Sequence, residues 1–510
     1  MSLKGNINAE MINFAVAKYL EYIMKKATWR KHHKWLGLVL GFFLIMFCIS
    51  GVMLNHPALI TQYSISRAYL PKDYEYKKWD KGLLRGTLKW NNHVIAYGYN
   101  GLWLTDSLGQ HFSDFNRGLP TDADARNIRG IAETPSHQLF IVSQYELYTL
   151  TSHHTWKKIP LSNGEEERLS DITTKGDSLI VTSRSYIYLL VKPYQTYQKI
   201  TLEKPTNYDG KVSLFSTVWQ LHSGALFGFV GKLIADGIGL ALFFLTISGF
   251  VFWLILKRKR QGSSKLASRW LRWHNYIGRI SIALTLFLCF TGWLLRPPAL
   301  IAIASARVSA VPFSTMDTDN SWNDGLRALR YDRVKKGWLL YTSEGFYAIK
   351  DLMAAPTPVL HHPPVSVMGV NVMQQTVHGV WLIGSFSGMY EWDRQHGTLI
   401  DHFTHQAAQP TKGIPFGTHA VAGYSHDFTC GEVIADYKTG CDNLPQPHWM
   451  ATLPMSLRNV CIEIHTGRIY TFLGMGTIVY IFIIGLGIAW CLWSGWKISK
   501  SSNRRSVKRT

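Results

Sequence analysis

The sequence has few charged residues. Only 17% of its 510 residues are Asp, Glu, Lys or Arg, whereas 47% are hydrophobic and 13% aromatic. A disordered tail protein is excluded, because such chains lack apolar and aromatic side chains. Certain motifs are missing too. Without Cys-x-x-Cys-His, covalent c-type haem attachment is excluded. Without Gly-x-Gly-x-x-Gly or a P-loop, flavin, nicotinamide and ATP sites have no support.

The apolar residues are concentrated in four long runs, at residues 35–54, 238–256, 280–295 and 472–493. Each approaches the roughly 20 residues that a helix needs to cross a bilayer, the third once its flanks are included. The first run follows a basic stretch, but it is too long for a signal peptide and lacks a small-residue cleavage site, so we expect a retained span. The sequence predicts a membrane protein with four transmembrane helices.

Acidic residues are nearly absent beside these runs. Residues 1–34, 257–279 and 497–510 together hold +19 of the formal net charge of +21. Basic flanks mark the cytoplasmic side of a membrane, so topology explains the high pI and nucleic-acid binding has no support. We expect contact with membrane lipid and a bacterial inner-membrane location. The predicted order is cytoplasmic 1–34, span 35–56, external 57–219, span 220–256, cytoplasmic 257–273, span 274–296, external 297–462, span 463–496 and cytoplasmic 497–510.

Cysteine is scarce, with six residues in the chain. Three fall inside spans, and three lie in or at the edge of the second external segment. Cys430 and Cys441 are close enough in sequence to close a small loop, and an external compartment favours disulfides. We therefore predict a Cys430–Cys441 bond.

The chain contains two copies of one unit. His33-Lys-Trp-Leu-Gly37 matches His274-Asn-Tyr-Ile-Gly278 at the first and third spans, and Leu221-His222-Ser-Gly224 matches Ile464-His465-Thr-Gly467 at the second and fourth. Both copies begin on the same side, so they are parallel repeats about an axis along the membrane normal. The histidines of each matched pair then lie at equal depth and can face each other across that axis.

Small residues repeat with the histidines. Gly51 and Gly292 occupy matching positions at the ends of the first and third spans, and Ser-Gly pairs recur at 248–249 and 494–495. Glycine lets a macrocycle approach a helix backbone, but it also permits plain helix packing, and both interpretations remain open.

The two external segments have the pattern of β-strands. Alternating hairpins are predicted at 93–106, 139–150, 178–191, 337–349 and 379–392, about 40 residues apart within each segment. That spacing is typical of propeller blades. We count three units in the first segment and two or three in the second. The halves either complete one propeller together or form two small β-sandwiches.

Histidines at span ends are costly to place and usually functional. Two facing imidazoles on helices are the usual axial ligands of a low-spin b-type haem. An isolated histidine of this kind is often only an interfacial residue, but two symmetry-related pairs favour ligands. His56 lies at the outer face as a candidate additional ligand or gate, although its repeat mate is Pro297.

At this point the residues resemble a known family. The patterns Arg30-x-x-His33-x-x-x-Gly37 and Leu221-His222-Ser-Gly224 look like the PepSY-associated transmembrane family, which includes inner-membrane ferric-siderophore reductases. The resemblance covers the spans only, because the external segments show no clear PepSY module. It implies two b-type haems whose iron is held by His33 with His274 and by His222 with His465. Gly37, Gly278, Gly224 and Gly467 would lie beside them.

Two functions from different classes follow. The first is a transmembrane oxidoreductase that passes electrons from a cytoplasmic or quinol donor to an external ferric chelate, such as a siderophore. The second is a haem-free receptor or transport accessory whose β domain binds a ligand. Reduced-minus-oxidised spectra separate the two, because only the first has haem absorption.

Overall fold

The computed structural model describes residues 3–161, 167–258, 263–410 and 417–506. Four of its helices contain segments long and apolar enough to cross a membrane: Ala27–Asn55, Ala225–Arg258, Lys265–Leu294 and Gly476–Ser499. The prediction of four spans is confirmed. The α-helices are α1 (Leu3–Asn55), α2 (Pro57–Ile60), α3 (Leu214–Ser223), α4 (Gly228–Arg258), α5 (Ser263–Leu294), α6 (Ala299–Ile303), α7 (Leu457–His465) and α8 (Gly476–Ser506).

The four long helices form a bundle with twofold character. Helix α1 packs against α4 and α8, and α5 packs against the same two helices. A small apolar core at the α1–α8 contact contains Leu40, Leu44, Ile484 and Ile488. Most other apolar side chains of the bundle point outward, as expected for surfaces in contact with lipid.

Two short helices precede the second and fourth spans. Helices α3 and α7 begin at capping serines, Ser213 and Ser456, whose side chains accept hydrogen bonds from backbone N–H groups. Gly224 and Gly467 then adopt φ angles of +77° and +72°, a left-handed conformation that side chains other than glycine rarely take. The helices therefore break two residues after His222 and His465. The long helices α4 and α8, which follow these breaks, begin at residues 228 and 476.

The external segments are built almost entirely from β-strands. In chain order these are β1 (Ser64–Ile65), β2 (Gly86–Trp90), β3 (His93–Gly98), β4 (Gly101–Thr105), β5 (Ser113–Asp114), β6 (Gly130–Glu133), β7 (Leu139–Val142), β8 (Leu147–Leu150), β9 (Trp156–Ile159), β10 (Leu169–Lys175), β11 (Ser178–Ser183), β12 (Ile187–Leu190), β13 (Tyr197–Ile200), β14 (Lys211–Ser213), β15 (Arg307–Ser309), β16 (Leu326–Asp332), β17 (Gly337–Thr342), β18 (Gly345–Ile349), β19 (Thr357–Pro358), β20 (Val370–Gln375), β21 (Trp381–Ser385), β22 (Gly388–Asp393), β23 (Thr398–Asp401), β24 (Val421–Phe428), β25 (Gly431–Asp436) and β26 (Met455–Ser456). All five predicted hairpins are present, and each forms the middle of a sheet.

Six antiparallel sheets form a closed ring. Blades 1 to 5 are the four-stranded sheets β2–β5, β6–β9, β10–β13, β16–β19 and β20–β23, and blade 6 is the hairpin β24–β25. A separate apolar core fills the space between each blade and the next. The last core joins blade 6 to blade 1, with Val433 and Ala435 packed near Trp103. The two external segments thus complete one β-propeller, and the alternative of two sandwiches is wrong.

Two short ribbons connect this propeller to the bundle. Strand β1, which follows the first span, pairs with β26, which precedes α7. Strand β14, which precedes α3, pairs with β15, which follows the third span. Each ribbon therefore ties one half of the chain to the other, and the repeat symmetry of the bundle continues into its connections.

The predicted disulfide is absent from the structure, in which Cys430 and Cys441 are both free thiols. Cys441 is packed into the apolar core between blades 6 and 1, and its backbone N–H donates to the carbonyl of Lys78. Cys430 is exposed in the turn between β24 and β25. The short sequence separation suggested a loop closure, whereas the structure has Cys441 buried in a core and Cys430 exposed.

We expect the two thiols to react at very different rates. Burial raises the pKa of the Cys441 thiol to about 12, so this residue is both inaccessible and protonated at neutral pH. Iodoacetamide applied to native protein without reductant should label Cys430 readily and leave Cys441 unlabelled until the protein is unfolded. Peptide mass spectrometry measures both sites. A lack of label at both positions until a reductant is added would instead restore the disulfide.

Candidate functional site

The structure brings the four span-end histidines together in two pairs. The imidazole rings of His33 and His274 have centroids 5.9 Å apart and planes at 80°, and those of His222 and His465 have centroids 6.1 Å apart and planes at 55°. All four side chains are half-buried. We call these the basic-side pair and the propeller-side pair, after the end of the bundle at which each one lies.

Each imidazole is held through the same ring nitrogen. Its Nδ1 lies at hydrogen-bond distance from a backbone carbonyl, which can only accept, so Nδ1 carries the proton. The lone pair is then left on Nε2, the nitrogen that can bind a metal. The carbonyls are those of Cys491 for His33 at 2.9 Å, Leu245 for His274, Leu288 for His222 at 3.1 Å and Phe47 for His465 at 3.2 Å.

A hydroxyl group supports each of these contacts. The hydroxyl oxygen lies near the same Nδ1, and the hydroxyl itself donates to the carbonyl that the histidine uses. The pairs are His33 with Ser494 at 3.2 Å, His274 with Ser248 at 2.9 Å, His222 with Thr291 at 3.1 Å and His465 with Ser50 at 3.1 Å. Such outer contacts fix the tautomer and the orientation of a ligand imidazole.

The residue after each hydroxyl is a glycine that touches the ring. A Cβ added at Gly51, Gly292 or Gly495 would lie 3.1 Å from the Cε1 of the facing histidine, and at Gly249 the distance would be 3.6 Å. The Ser/Thr-Gly pairs are therefore seats for the imidazoles. Sequence reasoning found the pairs as repeats but did not connect them to the histidines, because the contacts join different helices.

The glycines predicted to lie beside a macrocycle have other contacts. A Cβ on Gly37 would meet Cys491, and one on Gly278 would meet Leu245, both at an ordinary 3.6 Å. Gly224 and Gly467 end the helices that carry His222 and His465, as described above. Helix packing therefore accounts for Gly37 and Gly278, and helix termination accounts for Gly224 and Gly467.

The residues present fit a haem better than a bare ion. Metal–imidazole bonds of about 2.0–2.1 Å on both sides of a metal require roughly this separation of ring centroids. Within the described part of the chain no three His, Cys, Asp or Glu side chains cluster, so each pair supplies two ligands. A metal in a porphyrin needs only these two, because the macrocycle provides the other four nitrogens.

The two pairs lie near opposite ends of the bundle. His33 and the seat residue Ser50 are on the same helix, and at about 1.5 Å per residue they are roughly 26 Å apart along its axis. The same spacing separates His274 from Thr291 on α5. That distance approaches the roughly 30 Å thickness of the hydrocarbon layer. The two pairs are thus separated along the bundle by almost the thickness of a hydrocarbon layer.

His56 belongs to a different cluster. Its Nε2 lies 2.8 Å from Oδ2 of Asp236, and the Asn55 side chain donates to Oδ1 of the same carboxylate at 2.9 Å. Asp236 is buried on α4, with 7% of its surface exposed. Because the ring nitrogen that would bind a metal is already engaged, this geometry does not support a ligand role for His56.

We expect replacement of His56 to change stability rather than cofactor content. A buried carboxylate that loses one of its partners costs about 1–3 kcal/mol, so His56→Ala should lower the thermal unfolding midpoint by a few degrees. The bound haem per chain should stay at the wild-type value. Absorbance and differential scanning fluorimetry measure the two effects on one sample. Loss of haem in this variant would return His56 to the ligand set.

Comparison with known proteins decides the family. The model of the PepSY-associated TM region matches residues 31–499, which is most of the chain and includes both repeats and the propeller. The chain belongs to this family. The match covers more than the spans on which the resemblance was noticed. No curated protein matches this PepSY-associated protein.

Solved structures share only a distant likeness. One is the extracellular domain described as part of a hybrid two component system of B. thetaiotaomicron, with 8% identity and a TM-score of 0.34, covering 69% of this chain and 31% of that one. Another is a protein of unknown function from Bacteroides thetaiotaomicron, with 9% identity and a TM-score of 0.36, covering 72% and 70%. The chain therefore spans about a third of the length of the first. Neither likeness supports a functional argument.

Proposed function

We propose that this PepSY-associated protein is a b-type haem protein of the bacterial inner membrane that carries electrons across the bilayer and reduces a ferric chelate on the propeller side. The observation that supports this proposal is the fourfold histidine seat. Four imidazoles, at matched positions of two repeats, all have Nδ1 engaged by a hydrogen-bond partner from another helix, and their rings lie in two close pairs.

The chain's own residues would hold the two haems. His33 and His274 would hold one haem at the basic side, and His222 and His465 would hold the other at the propeller side. Bound haem would supply a one-electron redox couple at each pair. The Ser/Thr-Gly seats would keep each ring from rotating.

The arrangement favours transfer across the membrane rather than chemistry at one face. With two cofactor sites near opposite faces, an electron would cross the bilayer in shorter transfers. A single site would exchange electrons at one face only. The propeller-side pair lies on α3 and α7, which continue directly from ribbons of the propeller. An acceptor held between propeller and bundle would lie beside this pair. A cytoplasmic reductant or a membrane quinol is the donor.

The basic flanks support the proposed orientation. At the end of the bundle opposite the propeller, the long helices continue in sequence into residues 1–34, 257–279 and 497–510. These segments carry +19 of the net charge. Basic segments stay in the cytoplasm, so the propeller would lie in the periplasm.

Proteoliposomes test the function directly. Purified protein would be reconstituted with dithionite trapped inside, and a ferric chelate would be added outside together with a chromogenic chelator specific for Fe(II). We expect external Fe(II) to appear only in vesicles that contain the protein, and only after the haem spectrum becomes reduced. Full haem reduction without any external Fe(II), with several chelate classes tried, would argue against reductase function.

A further inference from the structure

Five arginines from separate parts of the sequence meet at one end of the propeller. Four of them lie where the innermost strands of successive blades begin, and the fifth follows β11 of blade 3. They are Arg85 before β2, Arg129 before β6, Arg168 before β10, Arg184 after β11 and Arg327 in β16. All five side chains are half-buried. We call this set the arginine arc.

Hydrogen bonds connect the first three members. The Arg85 guanidinium donates to the carbonyl of Ile128 at 2.6 Å, which is the residue before Arg129. Arg129 in turn donates to the side-chain oxygen of Gln144 at 3.2 Å, and the Gln144 backbone carbonyl accepts from the N–H of Leu169, next to Arg168, at 2.9 Å. Arg85, Arg129 and Arg168 are therefore neighbours across blades 1 to 3.

The remaining members continue the same line through the backbone. The N–H of Arg184 donates to the carbonyl of Arg168 at 2.9 Å, and the carbonyl of Arg184 accepts from Leu326, next to Arg327, at 2.9 Å. The arc thus runs without a gap across four of the six blades. It joins residues up to 242 positions apart in the sequence.

Two carboxylates of the described part of the chain lie near these five guanidinium groups: buried Asp124, which interacts electrostatically with Arg129, and Asp324. Asp324 forms a two-point contact with Arg184, at 2.6 and 3.1 Å, and Tyr99 lies under the Arg85 guanidinium. Burial, followed by repulsion from Arg85, lowers the pKa of Arg129 to about 9. Burial, followed by repulsion from Arg184, lowers the pKa of Arg327 to about 10. Such mutual repulsion is relieved when an anion binds.

One donor of the arc is also unsatisfied. The Nε atom of Arg129 is buried and has no hydrogen-bond partner in the described part of the chain. An unpaired buried donor is costly in a folded protein, and a bound anion at this place would satisfy it. The same Arg129 guanidinium donates its other described hydrogen bond to the neutral side-chain amide of Gln144 and not to a carboxylate.

The arc lies at the end of the propeller that faces the bundle. Next to Asp324, the Asn323 side chain donates to the carbonyl of Thr315 at 3.1 Å, and the N–H of Thr315 donates to the carbonyl of Leu226 at 2.9 Å. Leu226 lies four residues after His222, in the turn between α3 and α4. A short chain of contacts therefore connects the arc to the propeller-side histidine pair.

We propose that the arginine arc is a binding site for anionic ferric chelates, whose catecholate or carboxylate oxygens carry negative charge, and that it selects them over neutral hydroxamate chelates. This inference rests on the proposed function for its physiological substrate. Guanidinium groups bind such oxygens with charge-assisted hydrogen bonds, often two at a time. The arginines of the arc would hold the chelate at the end of the propeller nearest to the propeller-side histidine pair, from which electrons would leave the protein.

Gallium(III) chelates test binding without redox chemistry, since gallium(III) has the size and charge of iron(III) but is not reduced. The probes are a gallium tris-catecholate, which is trianionic, and a gallium trihydroxamate, which is neutral. Equilibrium dialysis with full-length protein in detergent should show binding of the first only. Added NaCl should weaken that binding, because salt screens charge. Arg129→Gln and Arg168→Gln should each weaken it about tenfold, the effect of one lost charge-assisted bond.

Arg333→Gln is the matched control. Arg333 is exposed one residue beyond the end of β16, at the opposite end of the strand that contains Arg327, and its removal should leave affinity unchanged. Unaltered tris-catecholate binding in both arc variants, with wild-type unfolding midpoints, would overturn the proposal, as would equal binding of the neutral chelate. Haem content and dithionite-driven reduction are measured separately. Failure of the binding test would therefore leave the proposed reductase function standing, and failure of the reductase test would leave the arc as an anion-binding site.

Discussion

The His222→Ala variant should lose about one haem of two and should not reduce an external ferric chelate. His222 provides one of the two imidazoles at the propeller side, and His465 alone would leave one axial position of the metal without a protein ligand. The basic-side pair is about 26 Å away along the helices and does not share its contacts. The remaining haem should therefore still be reduced from the basic side. Pyridine haemochrome absorbance and the vesicle assay measure the two quantities.

The reciprocal variant provides the internal comparison. His274→Ala should remove the basic-side haem and leave a propeller-side haem that receives no electrons from trapped dithionite. His32→Ala is a matched control, because His32 is the exposed neighbour of His33 and makes neither seat contact. It should keep both haems. If His222→Ala and His274→Ala both retain full haem content with unchanged spectra, the ligand assignment is wrong.

The Gly51→Val variant should cause nearly as large a loss without touching a ligand. A Cβ at Gly51 would lie only 3.1 Å from Cε1 of His465, and the two further carbons of valine cannot fit without displacing the ring. Displacement would break the contacts of His465 Nδ1 with Phe47 and Ser50, which fix its orientation. We expect about half of the bound haem to be lost, with the loss confined to the propeller-side site.

Gly237→Val is the control for this substitution. Gly237 lies on α4, exposed, and a Cβ added there meets no atom within 4 Å. The same change of glycine to valine within a spanning helix should therefore leave haem content intact. Equal haem content in the Gly51 and Gly237 variants would show that the glycine is not part of the seat.

Internal repetition made much of the site predictable. Each histidine had a partner at the matching position of the other repeat, so the pairing of His33 with His274 and of His222 with His465 followed from symmetry, and the structure places the rings of each pair about 6 Å apart. The seats were not predictable in the same way. Ser494 and His33 are 461 residues apart, and nothing in a single sequence shows that the fourth span packs against the first.

The propeller shows a similar division. The middle strands of a blade are short, largely apolar runs, such as Leu-Phe-Ile-Val in β7, and are joined by tight turns, so five hairpins were found. The inner and outer strands were missed, because inner strands such as β2 mix polar and apolar residues and outer strands such as β5 and β19 have two residues each. Closure of the ring depends on cores between distant blades, which one sequence does not reveal.

The arginine arc was also invisible in the sequence. Its members are single basic residues scattered over blades 1 to 4, each with unremarkable neighbours, and the external segments are close to neutral overall. Only the circular arrangement of the blades places the starts of their inner strands together. A charge cluster that forms only when distant residues are brought together by the fold cannot be seen in the local composition of the sequence.

The haem-to-protein ratio, measured with reduced-minus-oxidised spectra on the purified full-length chain, tests the central claim most directly. Two bis-histidine sites predict about two b-type haems per chain, with a sharp Soret band and an α band that appears on reduction. Protein purified from cells supplied with haem that shows neither band, while keeping its fold by circular dichroism, would contradict the account and favour a haem-free receptor.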